Sequence, residues 1–170
     1  MLRTLVIGYG NLDRADDGVA FYVVNALRER LGQKPLPQDE TGWAQLGSEP
    51  DSVFFRQLLP EWMETAAAYD QLIFVDAHVH EDTEGLSCVP VPPAVASSPF
   101  THHMTPGMFL ALIETLYDRE PAGELLSIRG HDFSFRRGLS PGVSKHLRPA
   151  VEMILGLVER GGLSASAAGA

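Results

Sequence analysis

Short apolar runs rich in β-branched and aromatic residues alternate along this chain with longer stretches of helical spacing, and few folds accept that alternation. The runs are Leu5 to Ile7, Trp43 to Leu46, Gln71 to Val75, Leu86 to Val91 and Leu125 to Ile128. Between and after them apolar side chains recur with a helical period: Val19, Tyr22, Val23, Ala26, Leu27; then Leu59, Trp62, Met63, Ala66. The pattern returns in Phe109, Leu112, Ile113, Leu116 and in Leu147, Ala150, Val151, Ile154, Leu155, Val158. Apolar runs too short for a helix read as buried strands, and parallel strands need crossover helices. The order β-α-β-α-β-β-α-β-α therefore predicts an α/β fold. It is a three-layer sandwich, with a mostly parallel twisted sheet of about five strands and helices on both faces. Pro90 withholds a ladder donor, which places the 86–91 strand on an edge.

At 170 residues and 45% apolar content, the chain can bury a core of its own. One domain is expected over 1–160, with the small and polar residues of 161–170 as a flexible C-terminal tail. The net charge of −9 argues against a nucleic-acid partner and against an anionic membrane surface. Cys88 is the sole cysteine, so no internal disulfide forms, and strand packing is its plain role. The first residues lack the pattern of a secretory leader, and no apolar stretch approaches the length that crosses a bilayer. A cytoplasmic protein is the expectation.

Chemistry concentrates where strands end and helices begin. The first strand stops at Gly8-Tyr9-Gly10-Asn11, and Asp16 and Asp17 precede the first helix. In open α/β sheets ligands bind beyond the carboxyl ends of the strands, although acids at a helix start also cap it. A dinucleotide loop is excluded, because the third glycine of G-x-G-x-x-G falls at Asp13, where an acid would face the pyrophosphate. Gly138-Leu139-Ser140-Pro141-Gly142 matches G-x-S-x-G in letters. Pro141 has no N–H to give an oxyanion, so Ser140 reads as the N-cap of the last helix. Thr105 as an N-cap and Pro106 at the first helical position put His102 and His103 just before another helix.

Asp16 or Asp17, Asp76 and His102 or His103 could thus share one edge of the sheet. Two carboxylates and an imidazole suit a borderline divalent ion such as zinc or nickel. The plain alternatives are a turn-forming Asp76 and solvated loop histidines. His78, His80 and His131 also lie near strand ends and rank below His102.

These residues resemble the [NiFe]-hydrogenase maturation endopeptidases, which remove a C-terminal extension from the hydrogenase large subunit. The likeness runs through Gly8 to Asn11, Asp16 to Val19, Val75-Asp76-Ala77, the His102 segment and Gly138-Leu139-Ser140-Pro141. It departs at Ala20, where a glycine is common, at the charged pair Asp13-Arg14, and most of all across residues 33 to 56. By register, the resemblance implies that Asp17, Asp76 and His102, with His103 as the alternative, recognise or bind a metal, while Asp16 supports or caps. The resemblance favours nickel carried by the substrate protein and recognised by these residues, with another divalent ion able to stand in for it in vitro; the alternative is a catalytic role, in which Asp17, Asp76 and His102 hold a metal that polarises the carbonyl and activates water, or a carboxylate acts as general base. The implied partner is a nickel-loaded large-subunit precursor. The absence of H-E-x-x-H gives an ordinary zinc protease no support. A non-proteolytic docking protein for the precursor and a more general metallopeptidase are the rival readings.

Overall fold

The computed structural model describes residues 2–81, 85–95 and 103–162. Five strands form one sheet: β1 (Thr4–Tyr9), β2 (Asp51–Phe55), β3 (Gln71–His78), β4 (Leu86–Pro90) and β5 (Ala122–Arg129). Their order across the sheet is β2-β1-β3-β5-β4. All neighbours are parallel except β4, which closes one edge antiparallel to β5. The edge placement is the one Pro90 predicts.

The two faces follow from the strand period of two. Val6, Ile73, Val75, Leu126 and Ile128 face α1 (Val19–Arg30) and α5 (Leu147–Arg160). Leu5, Ile7, Leu72 and Phe74 face α2 (Met63–Ala66) and α3 (Pro106–Tyr117). Helices therefore cover both faces of the sheet, as the alternation of runs predicts. Phe74 meets Phe109 of α3 edge-on, with ring centroids 6.0 Å apart. Thr105 caps α3 as expected, its hydroxyl accepting the Met108 amide at 3.2 Å. Among the described residues no helix is long and apolar enough to cross a membrane.

Two local expectations fail. Residues Trp43–Gln45 form a 3-10 turn, and the second strand is Asp51–Phe55. Its polar start hides it, because Asp51 and Ser52 are buried with partners that include residues distant in sequence. Asp51 accepts the Tyr69 hydroxyl at 2.6 Å and the Ser48 amide at 2.8 Å, while Arg28 reaches Ser52. Trp43 instead packs at the end of an aromatic stack with Phe55 and Trp62. The second failure concerns the last helix, which does not run on from Pro141. A single turn, α4 (Pro141–Ser144), breaks at Lys145 and His146 before α5 begins. Residues 163–170, most of the expected tail, lie outside the described residues.

This strand order creates a crevice. The chain leaves β1 through α1 and returns on one side as β2, whereas it leaves β3 for β4, α3 and β5 on the other side, with α3 on the opposite face. The carboxyl ends of β1 and β3 are thus a topological switch point, the place where open α/β sheets bind ligands.

Candidate active site

Asp17 and Asp76 meet at that switch point. Gly10, at φ +150°, makes the turn out of β1 possible, since a Cβ there would strike the Asp17 carbonyl oxygen. The turn is tied off when the Asn11 amide donates to Asp17 Oδ2 at 2.9 Å and the Asp13 amide to Asn11 Oδ1 at 2.9 Å. Asp76 continues the face of β3 that carries Leu72 and Phe74, so its side chain emerges on the α3 side as the strand leaves the core. The Ala77 amide donates to its Oδ1 at 2.7 Å.

Asp76 is an awkward place for a charge. Burial is the main force, and the nearby Asp17 carboxylate adds to it; the Tyr9 phenol and the Ala77 amide oppose both. The outcome is a carboxyl raised from 3.8 to about 6. Tyr9 is held protonated by its own burial and by the Asp76 charge.

Asp16, one residue earlier, has a different setting. It is fully buried and accepts from the His131 amide at 2.9 Å and the Asp132 amide at 2.8 Å. Ser140 adds both its amide and its hydroxyl, each at 2.8 Å. Burial opposes the charge here too, but these donors outweigh it and hold the carboxyl below its ordinary range. Asp16 is therefore no cap for α1, whose N-cap is Gly18 without a side-chain bond. It fastens the β1–α1 loop to the loop after β5. Two main-chain bonds run alongside: the Ala15 amide donates to the Arg136 carbonyl and the Asp16 amide to the Asp132 carbonyl. Ser140 is likewise neither a nucleophile nor a side-chain cap, because its hydroxyl is committed to Asp16.

The histidines sort themselves by position. His102 lies outside the described residues. His103 is exposed and lines a cleft with Tyr9, Asn11, Asp17, Arg56 and Asp76. His78 and His80 line an adjoining cleft that also contains Asp17 and Asp76, along with Ser127 and Phe133. Their rings stack with centroids 6.0 Å apart, and burial, followed by the charges of His80 and Arg129, lowers the His78 pKa. Spacing could have found them, because Asp76 and His78 sit two apart on one strand and so share a face. His131 faces outward and contributes its main-chain amide to Asp16. Cys88 is half-buried in β4 with its thiol pushed up to about 11, first by burial and then by Glu124, consistent with packing. Among the described residues, no three His, Cys, Asp or Glu side chains are grouped so as to hold a metal ion by themselves.

The chain matches no protein-family model and no curated protein. Solved structures do match. The hydrogenase maturating endopeptidase HybD from E. coli superposes with a TM-score of 0.70 at 21% identity, over 95% of this chain and 94% of that one. This is the fold of the hydrogenase maturation proteases. The [NiFe] hydrogenase maturation protease HycI from Thermococcus kodakarensis gives a TM-score of 0.62 at 20% identity, over 93% of both chains. An endopeptidase from Escherichia coli gives 0.63 at 22% identity, over 94% of both. Identity this low carries the architecture, and the chemistry has to be argued from this chain's own residues.

Proposed function

We propose that this protein is an endopeptidase that removes the C-terminal extension of a nickel-loaded [NiFe]-hydrogenase large-subunit precursor, with Asp17, Asp76 and the histidine at 102 or 103 recognising the nickel. The observation that carries this reading is the convergence of Asp17, from the β1–α1 connection, and Asp76, from β3, at the switch point of a hydrogenase maturation protease fold. The nickel is part of the substrate. Carboxylate oxygens and one imidazole are suitable ligands for the open positions of a borderline ion that precursor ligands already hold. Such an ion needs no complete cage from the protease, and cleavage would wait until nickel has been inserted.

The raised pKa of Asp76 favours an alternative role for this residue, in which its carboxylate is free of nickel. A carboxyl that titrates near 6 is well placed to take a proton from water at neutral pH. In that route the water oxygen attacks the scissile carbonyl carbon, its proton passes to Asp76, and the proton then moves to the leaving amide nitrogen as the C–N bond breaks.

Incubating the protein with nickel-loaded and metal-free precursor and weighing the products tests both. Nickel recognition predicts loss of a C-terminal peptide from the loaded form alone; equal cleavage of both forms would favour the general-base route. Asp17→Asn and Asp76→Asn should each slow processing by about a hundredfold or more while leaving the fold intact. A stable complex with no loss of mass would sink the protease reading in favour of a docking protein. A fully active His102→Ala enzyme with an inactive His103→Ala would move the imidazole role by one residue.

A further inference from the structure

We infer that Arg56 is a substrate-binding residue that receives a carboxylate of the bound polypeptide at the rim of the cleft. Arg56 follows β2 directly, at the carboxyl end of the strand beside β1. It lines the cleft that holds Asp17, Asp76 and His103, and it also lines a second hollow formed with Leu12, Phe54, Asp39, Glu40 and Thr41. It is the wall between them. Among the described residues, Arg56 is the one arginine or lysine lining either cleft that contains Asp17 and Asp76. A polypeptide that brings an acid into this cleft finds carboxylates on both sides and, among the described lining residues, the Arg56 guanidinium to meet it, while the neighbouring Arg137 is taken up by Asp13, Gln38 and Asp39.

The present tie of Arg56 is easily exchanged. Its Nη2 donates to Asp13 Oδ2 at 2.8 Å, with the arginine side chain 69% exposed. The other oxygen of Asp13 is held independently by Arg137 Nε at 2.8 Å. Arg137 is in turn fixed by Gln38 at 2.6 Å and Asp39 at 3.0 Å, so it stays in place when Arg56 leaves. Arg56 can therefore give up Asp13 without stranding that carboxylate. Exposed pairs of this kind are weak, and a guanidinium fork binds a free carboxylate with two parallel N–H donors.

The inference rests on the peptidase reading only in taking the ligand to be a polypeptide. Its test is a binding experiment that needs no cleavage. The full chain is titrated with three peptides: acetyl-Ala-Glu-Ala-amide, acetyl-Ala-Gln-Ala-amide, and acetyl-Ala-Gln-Ala with a free C-terminus. The Arg56 Nε–H resonance, assigned by its loss in Arg56→Lys, is followed throughout. Saturable movement of that resonance with a carboxylate peptide, at least tenfold tighter than with the amide control, is the expected result. A response to the glutamate peptide assigns a side-chain acid, and a response to the free terminus assigns a chain-terminal carboxylate of the kind cleavage releases. In calorimetric titrations with the same peptides, a readout that does not need the Arg56 resonance, Arg56→Ala should abolish the difference between peptides, Arg56→Lys should retain part of it, and Asp13→Asn should tighten binding severalfold by removing the internal competitor. No shift at Arg56, or equal shifts with carboxylate and amide peptides, would overturn the inference. If the precursor is not cleaved and Arg56 still discriminates the peptides, the protease reading falls while the carboxylate site stands.

Discussion

Asp16 and Asp76 are both taken out of bulk water within one small region, yet they titrate in opposite directions. Asp16 has no solvent-exposed surface, and its charge is nonetheless favoured because two amides from the 131–132 turn and two donors from Ser140 converge on it. Asp76 has the Ala77 amide and the Tyr9 phenol against burial and the Asp17 charge, and its pKa rises to about 6. The lesson is that the state of a carboxylate is set by the balance of desolvation against the donors aimed at it: four donors outweigh burial at Asp16, and two donors do not at Asp76. One setting builds a fastener between loops, and the other leaves a carboxyl in a cleft with capacity to spare.

The comparison can be broken most directly at Asp16. Asp16→Ala removes the acceptor for four donors at once, and unfolding in urea should show a loss of about 3 to 5 kcal/mol. A loss under about 1 kcal/mol would mean that water replaces the carboxylate freely.

Stability as a function of pH sharpens the contrast, because the two groups carry opposite signs. The folded-state pKa of Asp76 is raised, so its contribution is fully present below about 4, the unfolded value, and is lost as pH rises through about 6. Replacing it with asparagine should therefore favour the variant over the wild type by up to about 3 kcal/mol between pH 4 and pH 7. Parallel stability curves would contradict the raised pKa. Asp17→Asn should lower the Asp76 midpoint, measured by carboxyl NMR titration, because it removes the like charge. For Asp16, held below its ordinary range, the contribution is present above its unfolded pKa and is lost as pH falls through the folded one.

Smaller substitutions probe the same contrast. Ser140→Ala leaves the amide bond to Asp16 in place and removes the hydroxyl, and denaturant midpoints should report a loss of about 1.5 to 2 kcal/mol. Thr105→Ala removes the cap of α3 and should cost about 1 kcal/mol in the same assay. The cap lies two residues after His103, so this variant also tests whether the imidazole segment depends on the start of that helix.

Much of the architecture was legible in the chain. Strand and helix periods identified β1, β3, β4, β5 and the longer helices, and Thr105-Pro106 marked the start of α3. β2 was missed because Asp51 and Ser52 look solvated until Tyr69 and Arg28 are brought to them. Asp17 and Asp76 were legible as acids at strand ends. His78 lines a cleft with Asp17 and Asp76, and its two-residue offset from Asp76 on one strand is the signal for that placement.

What the sequence by itself determined is therefore the set of elements and the types of side chain at their ends, since these follow from local periodicity and turn chemistry. Only the tertiary structure decided the strand order, with the crevice between β1 and β3 that it creates. It alone also decided which of two adjacent acids would be held by the loop after β5. The donors to Asp16 come from positions 115 to 124 residues away. No local pattern encodes a bond of that span, and the difference between Asp16 and Asp17 becomes visible only when the loop after β5 closes over one of them.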